Sequence, residues 1–109
     1  MSDESLWHVT RDGAPVAPGP AAPGAEGFVH CSFTRQLDGT LALHFAGAPR
    51  VELLLLDPAR LGEALRLEAS RGGEAFPHVY RPLRPDDVLA RVGLSRGPDG
   101  RFATSLLPG

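Results

Sequence analysis

Three short strings of the chain carry a histidine two residues ahead of a hydroxyl group: Leu6-Trp7-His8-Val9-Thr10, Phe28-Val29-His30-Cys31-Ser32 and Phe76-Pro77-His78-Val79-Tyr80. Imidazole donates and accepts hydrogen bonds, and its charge changes near neutral pH. If the first two strings are neighbouring strands, His8, Thr10, His30 and Ser32 share one patch suited to a ribose or a phosphate. His78 and Tyr80 repeat the pattern on a third strand, where the phenol ring offers a stacking surface. The plainer reading of each histidine is a ring satisfied within a core or a sheet face. Glu68 follows the apolar Leu65 and Leu67 and precedes a Ser-Arg-Gly-Gly turn. A carboxylate there is placed to steady cationic charge, as glycosyl transfer needs, or simply to pair with Arg66 or Arg71.

Other chemistries find less support. The soft and borderline metal ligands are Cys31, His8, His30, His44 and His78. None fall at a two-to-five-residue ligand spacing, and the adjacent His30 and Cys31 point to opposite faces of a strand, so no metal site is expected. Cys31 is expected to face the core as a small hydrophobe rather than act as a nucleophile. Gly72-Gly73 lacks the lysine and following helix of a phosphate loop. Asp86-Asp87 after Pro85 reads as charge at the start of a helical turn. His44, on an amphipathic helix, reads as structural or exposed.

The elements that must hold these residues follow from periodicity. Leu6–Thr10 alternates as a strand, with Leu6, His8 and Thr10 on one face and Trp7 and Val9 on the other. Residues 11–27 are so rich in Gly, Pro and Ala that a surface loop is expected. Phe28–Ser32 is a second strand, with Phe28, His30 and Ser32 facing one way and Val29 and Cys31 the other. Ser32 then caps a helix running to about Phe45, which Gly39 weakens by roughly 1 kcal/mol and Gly47-Ala48-Pro49 ends. Val51–Leu56 is apolar on both faces, as a central strand is. Asp57-Pro58 opens a short helical turn to Leu61. Residues 64–68 read as a strand because Leu65 and Leu67 alternate with Arg66 and Glu68. Arg71-Gly72-Gly73 is a turn, and Phe76–Tyr80 an extended segment that Pro77 assigns to an edge. Pro85–Ala90 reads as a helical turn, and Arg91–Ser95 pairs with Arg101–Leu106 across Gly97-Pro98-Asp99-Gly100 as a hairpin.

The chain has 109 residues, 42% of them hydrophobic and 22% charged, the range of one globular domain spanning residues 1–109. Many short strands with two or three short helices and no βαβ rhythm give an α+β fold with a mixed or antiparallel sheet. A net charge of −2 and an absence of basic stripes argue against duplex nucleic acid as a partner. The longest apolar stretch is too short to span a bilayer and no positively charged leader is evident, so no membrane association is expected. One cysteine excludes an internal disulfide, and a reducing cytoplasm fits. Lysine, isoleucine and asparagine are absent, a bias attributable to a G- and C-rich genome. Oligomeric state is not legible.

Gly27-Phe28-Val29-His30-Cys31-Ser32, Gln36, Leu54–Leu61, Glu68-Ala-Ser-Arg-Gly-Gly and Phe76-Pro77-His78-Val79-Tyr80 together resemble the bacterial domain-of-unknown-function family numbered 952. That resemblance implies a compact α+β domain. The family usually has a helix where this chain has its Gly/Pro/Ala-rich loop, and glycine where this chain has Arg81. More distantly, Leu6–Thr10 and Phe28–Ser32 resemble strands of the ADP-ribosyltransferase group, notably RNA 2′-phosphotransferases. This second resemblance implies His8 as a ribose holder and His30 and Ser32 as ribose or phosphate contacts. It gives looser roles to Tyr80 and Glu68, and NAD as a cofactor candidate. Val9 stands where those transferases keep glycine. The expectation is a small cytoplasmic domain binding a nucleotide or phosphorylated ribose in a histidine-lined cleft. An NAD-using transferase with His8, His30 and Glu68 catalytic, or a protein-interaction domain without ligand chemistry, are the alternatives.

Overall fold

The computed structural model describes residues 5–11, 27–69, 73–104 and 107. Among the described residues, seven strands and two α-helices follow in the order β1 (Leu6–Arg11), β2 (Val29–His30), β3 (Ser32–Phe33), α1 (Leu37–His44), β4 (Arg50–Leu56), α2 (Pro58–Leu61), β5 (Leu65–Ala69), β6 (Ala75–Val79) and β7 (Val88–Ser95). Single 3₁₀ turns precede α1, follow α2 and precede β7. Every strand pairing is antiparallel. Two sheets result, one ordered β3-β1-β4-β7 and one ordered β2-β6-β5.

Strand alternation divides the core into two layers. Leu6 of β1 and Leu54 and Leu56 of β4 meet Val29, Cys31, Leu61, Val79 and Leu83 between the sheets. Trp7 and Val9 of β1 and Val51 and Leu53 of β4 turn the other way, onto Leu37 and Leu41 of α1 and onto Phe102. The four-stranded sheet is therefore covered on both faces, and its central β4 is nearly continuous in Leu and Val for that reason. Trp7 lies fully buried, with its indole N–H donated to Thr34 Oγ1 at 2.9 Å.

Several elements depart from the sequence expectation. The Phe28–Ser32 string is not one strand: it breaks at Cys31, so β2 joins one sheet and β3 the other. The helix begins later, because the Phe33 amide is capped by Gln36 Oε1 at 3.0 Å while Ser32 Oγ bonds Thr40 Oγ1 at 2.8 Å. Pro77 lies in the middle strand β6, not at an edge. Its carbonyl accepts from Cys31 N at 3.1 Å, so the missing proline N–H faces the point where the chain leaves β2 and interrupts no longer ladder. Only Pro85–Asp87 is helical, and Val88 already begins β7. β7 pairs with β4 along its length, while among the described residues the expected C-terminal hairpin is a bridge between Arg96 and Phe102, Ser105 and Leu106 lying outside them. Asp57 caps α2 as expected, its carboxylate accepting from Ala59 N at 3.0 Å. Of the Gly/Pro/Ala-rich loop, residues 12–26 lie outside the described residues, as do Arg71 and Gly72 of the expected turn.

Asp87 is the first-turn charge expected at the start of Pro85–Asp87, and it is also buried in an ion pair. It is 2% exposed and takes both oxygens to Arg81, at 2.8 and 2.9 Å, and one to the Arg84 amide at 2.7 Å. The Arg81 guanidinium beside it holds its carboxyl below the usual carboxylate range.

Candidate functional site

The second sheet has one greasy face and one armed face. Val29, Val79 and Leu65 point inward to the first sheet. By alternation Phe28, His30, Arg66, Glu68, Phe76, His78 and Tyr80 share the opposite face, on which Phe76 and His78 are buried and His30, Arg66 and Tyr80 exposed. Hydrogen bonds fix the local geometry. Cys31 N to Pro77 O, at 3.1 Å, makes 31 and 77 a backbone-bonded pair. His30 and His78 are then opposed as the intervening non-bonded pair, in which side chains approach closely. Their ring centroids lie 5.5 Å apart at 81°. Gly27, with φ of +88°, supplies the backbone turn before Phe28, a conformation that a side chain would strain. The Phe28 ring lies flat on His78, 3.9 Å away at 16°, and edge-on to His30 at 4.7 Å.

Glu68 joins this group. Its Oε1 takes a hydrogen bond from His78 Nδ1 at 2.9 Å and from the Tyr80 hydroxyl at 2.5 Å. The Tyr80 hydroxyl, then His78, hold the Glu68 carboxyl below its ordinary range, and the same carboxylate raises the Tyr80 phenol. Glu68 is thus ionised at neutral pH and can only accept, which puts the proton of a neutral His78 on Nδ1. Nε2 is left as the lone-pair atom. It is closed off from solvent, in a residue 4% exposed, and has no hydrogen-bond partner among the described residues. Around it, His30 and Tyr80 are exposed, and the Arg66 guanidinium stands 5.3 Å from the Tyr80 ring. A fixed imidazole, an ionised carboxylate, stacking rings and a cation occupy one sheet face.

Four of the residues singled out in the sequence, His30, Glu68, His78 and Tyr80, therefore converge. The other three lie elsewhere. His8 faces the layer between the sheets, and its Nδ1 donates to the His30 carbonyl at 2.7 Å. Thr10 Oγ1 is buried and directed to the Glu52 carbonyl at 3.4 Å. Ser32 belongs to the first sheet and bonds Thr40. Sequence reading gave Phe28 the right face without a role, and took Arg66 only as a partner for Glu68. Alternation carries the signal for both. Cys31 is buried and burial pushes its thiol far up, consistent with a core residue. No group of three or more His, Cys, Asp or Glu among the described residues is placed to hold a metal. Arg81, the departure from the family pattern, is held by Asp87 and the Arg60 and Pro82 carbonyls. A groove of about 620 Å³ lies between α1 and the C-terminal segment, with Asp38, Leu41, Arg96, Arg101 and Phe102 but none of His8, His30 and His78 in its walls.

The family model described as "Protein of unknown function (DUF952)" matches residues 1–91. The chain belongs to that family. The crystal structure of protein CC0527 from Caulobacter crescentus is similar to this DUF952 chain at 31% identity and a TM-score of 0.79, over 93% of this chain and 95% of that one. A double mutant of CC0527 gives 30% identity and 0.78 over the same shares. The solution NMR structure of CC0527 gives 29% and 0.72 over 91% of each chain. No curated protein matches this chain. No helix among the described residues is long and apolar enough to cross a membrane.

Proposed function

We propose that the outer face of the β2-β6-β5 sheet binds a small phosphorylated, ribose-bearing molecule of the nucleotide class. His78 Nε2 accepts a hydrogen bond from one of its hydroxyls. The observation that carries this reading is the buried, unpartnered Nε2 of an imidazole whose other nitrogen is committed to Glu68. Leaving such an acceptor unsatisfied costs about 1–3 kcal/mol, a cost tolerated at sites that a ligand completes. The exposed rings of Tyr80 and His30 offer stacking surfaces for a base, and exposed Arg66 offers a forked donor for phosphate. Because Nε2 is closed to solvent, ligand access to it requires a local opening of this face. A buried free thiol at Cys31 suits a reducing cytoplasm.

Titration calorimetry with AMP, ADP-ribose and NAD tests the reading on wild type, His78→Phe and Arg66→Ala. Wild type binds at least one of them. His78→Phe weakens that binding tenfold or more, the equivalent of about 1.4 kcal/mol, and Arg66→Ala weakens phosphorylated ligands selectively. Heat signals absent for all three nucleotides defeat the proposal.

A transferase reading differs only in the work given to Glu68, whose carboxylate, held ionised by Tyr80 and His78, would steady positive charge developing on a ribose. Release of nicotinamide from NAD by wild type but not by Glu68→Gln supports it. Binding without release leaves a non-catalytic module.

A further inference from the structure

Among the described residues no strand pairs with the outer side of β5, and the backbone groups it leaves unused can be assigned. Tyr80 N donates to Ala64 O at 2.8 Å, so Ala64, Arg66 and Glu68 direct their backbone groups to β6. The amides and carbonyls of Leu65, Leu67 and Ala69 then point outward from the edge. Leu67 is 60% exposed. The strand contains no proline and keeps an unbroken register against β6, so its charged Arg66 and Glu68 and its five-residue length are what limit pairing at this edge. Its central sequence, Arg66-Leu67-Glu68, is also complementary to itself. In an antiparallel pairing about a two-fold axis at Leu67, each Leu67 faces its counterpart. Arg66 of either copy then faces Glu68 of the other, with both charges on the same sheet face. The other long open edge, β7, has Arg91 as its one charged residue and a register shift opposite Leu55/Leu56, so the same operation there opposes no unlike charges.

We propose that β5 pairs with β5 of a second copy of this chain, joining the two three-stranded sheets into one of six strands. The pairing places Arg66 of each copy beside Glu68 of the other, on the face that carries His78, so that each site is flanked by a cation from its neighbour. Five residues form a small interface, so association is expected to be weak and concentration-dependent.

Sedimentation equilibrium of the full chain, without nucleotide, reads the proposal independently of the ligand site. Wild type is expected to show a monomer–dimer equilibrium. Leu67→Lys and Arg66→Glu each abolish the dimer, and the exchanged pair Arg66→Glu/Glu68→Arg restores it. Circular dichroism confirms that each variant is folded. Amide exchange gives a second reading on the wild type alone: protection of the Leu65, Leu67 and Ala69 amides rises with protein concentration. The proposal is overturned by a chain monomeric at every concentration, by a dimer indifferent to Leu67→Lys, or by edge amides that exchange equally fast throughout the series.

Discussion

The two sheets use the same antiparallel strands for different ends. The four-stranded sheet buries apolar side chains on both faces, with Leu6, Leu54 and Leu56 on one side and Trp7, Val51 and Leu53 on the other. The three-stranded sheet buries Val29, Leu65 and Val79 on its inner face, while its other face mixes the buried Phe76 and His78 with Glu68 and the exposed His30, Tyr80 and Arg66. Stability is therefore concentrated in the first sheet and ionisable chemistry in the second. A substitution in the first should cost folding, and one in the second should cost binding while leaving the fold largely intact.

The largest effect is expected at Trp7, fully buried between β1 and α1. Trp7→Ala should lower unfolding stability by about 4 kcal/mol in denaturant titration, through a cavity and a lost indole hydrogen bond. A loss as small as that of a surface change would break the contrast. Next is Asp87, which ties Arg81 and the Arg84 amide together where β6 leads into β7. Asp87→Ala should cost about 3 kcal/mol, because it strips a paired cation of its carboxylate. The folded-state pKa of Asp87 is depressed, so its stabilisation is present above the ordinary carboxylate range and lost as pH falls through the depressed value.

The sharpest contrast lies at His78. His78→Phe keeps a ring stacked on Phe28 and removes the orphaned acceptor, but also the Nδ1–H hydrogen bond to the Glu68 carboxylate, so stability should fall by about 1–2 kcal/mol while nucleotide affinity collapses. A loss of several kcal/mol would make His78 a core residue instead. The smallest effect is a pH signature at Glu68. Its folded-state pKa is also lowered, so stability contributed by the Glu68–His78–Tyr80 group persists above the usual glutamate range and fades as pH falls through the lowered value. Thermal melts of wild type and Glu68→Gln should converge at acid pH and separate near neutrality.

Much of this organisation is legible in the chain. Alternation alone sorts Leu6 from Trp7 and Val29 from His30, and the doubly apolar Val51–Leu56 string announces its central place. Asp57-Pro58 caps where capping chemistry says it must. What the chain conceals is non-local. Nothing in Phe28–Ser32 reveals that the backbone changes sheets at Cys31, and that change separates Ser32 and His8 from His30. Pro77 reads as an edge because proline lacks a donor, yet β2 is too short for the missing donor to matter. Glu68 was visible as a carboxylate between leucines, but its partners His78 and Tyr80 are set by the register of β5 against β6. No local pattern encodes that register.

The protonation of His78 tests the central claim most directly. Long-range ¹H–¹⁵N correlation spectra of the neutral imidazole should place its proton on Nδ1, with Nε2 bare and its ¹⁵N resonance moving when AMP or ADP-ribose is added. A proton on Nε2 with Nδ1 bare, or an Nε2 resonance unmoved by every nucleotide, contradicts the account.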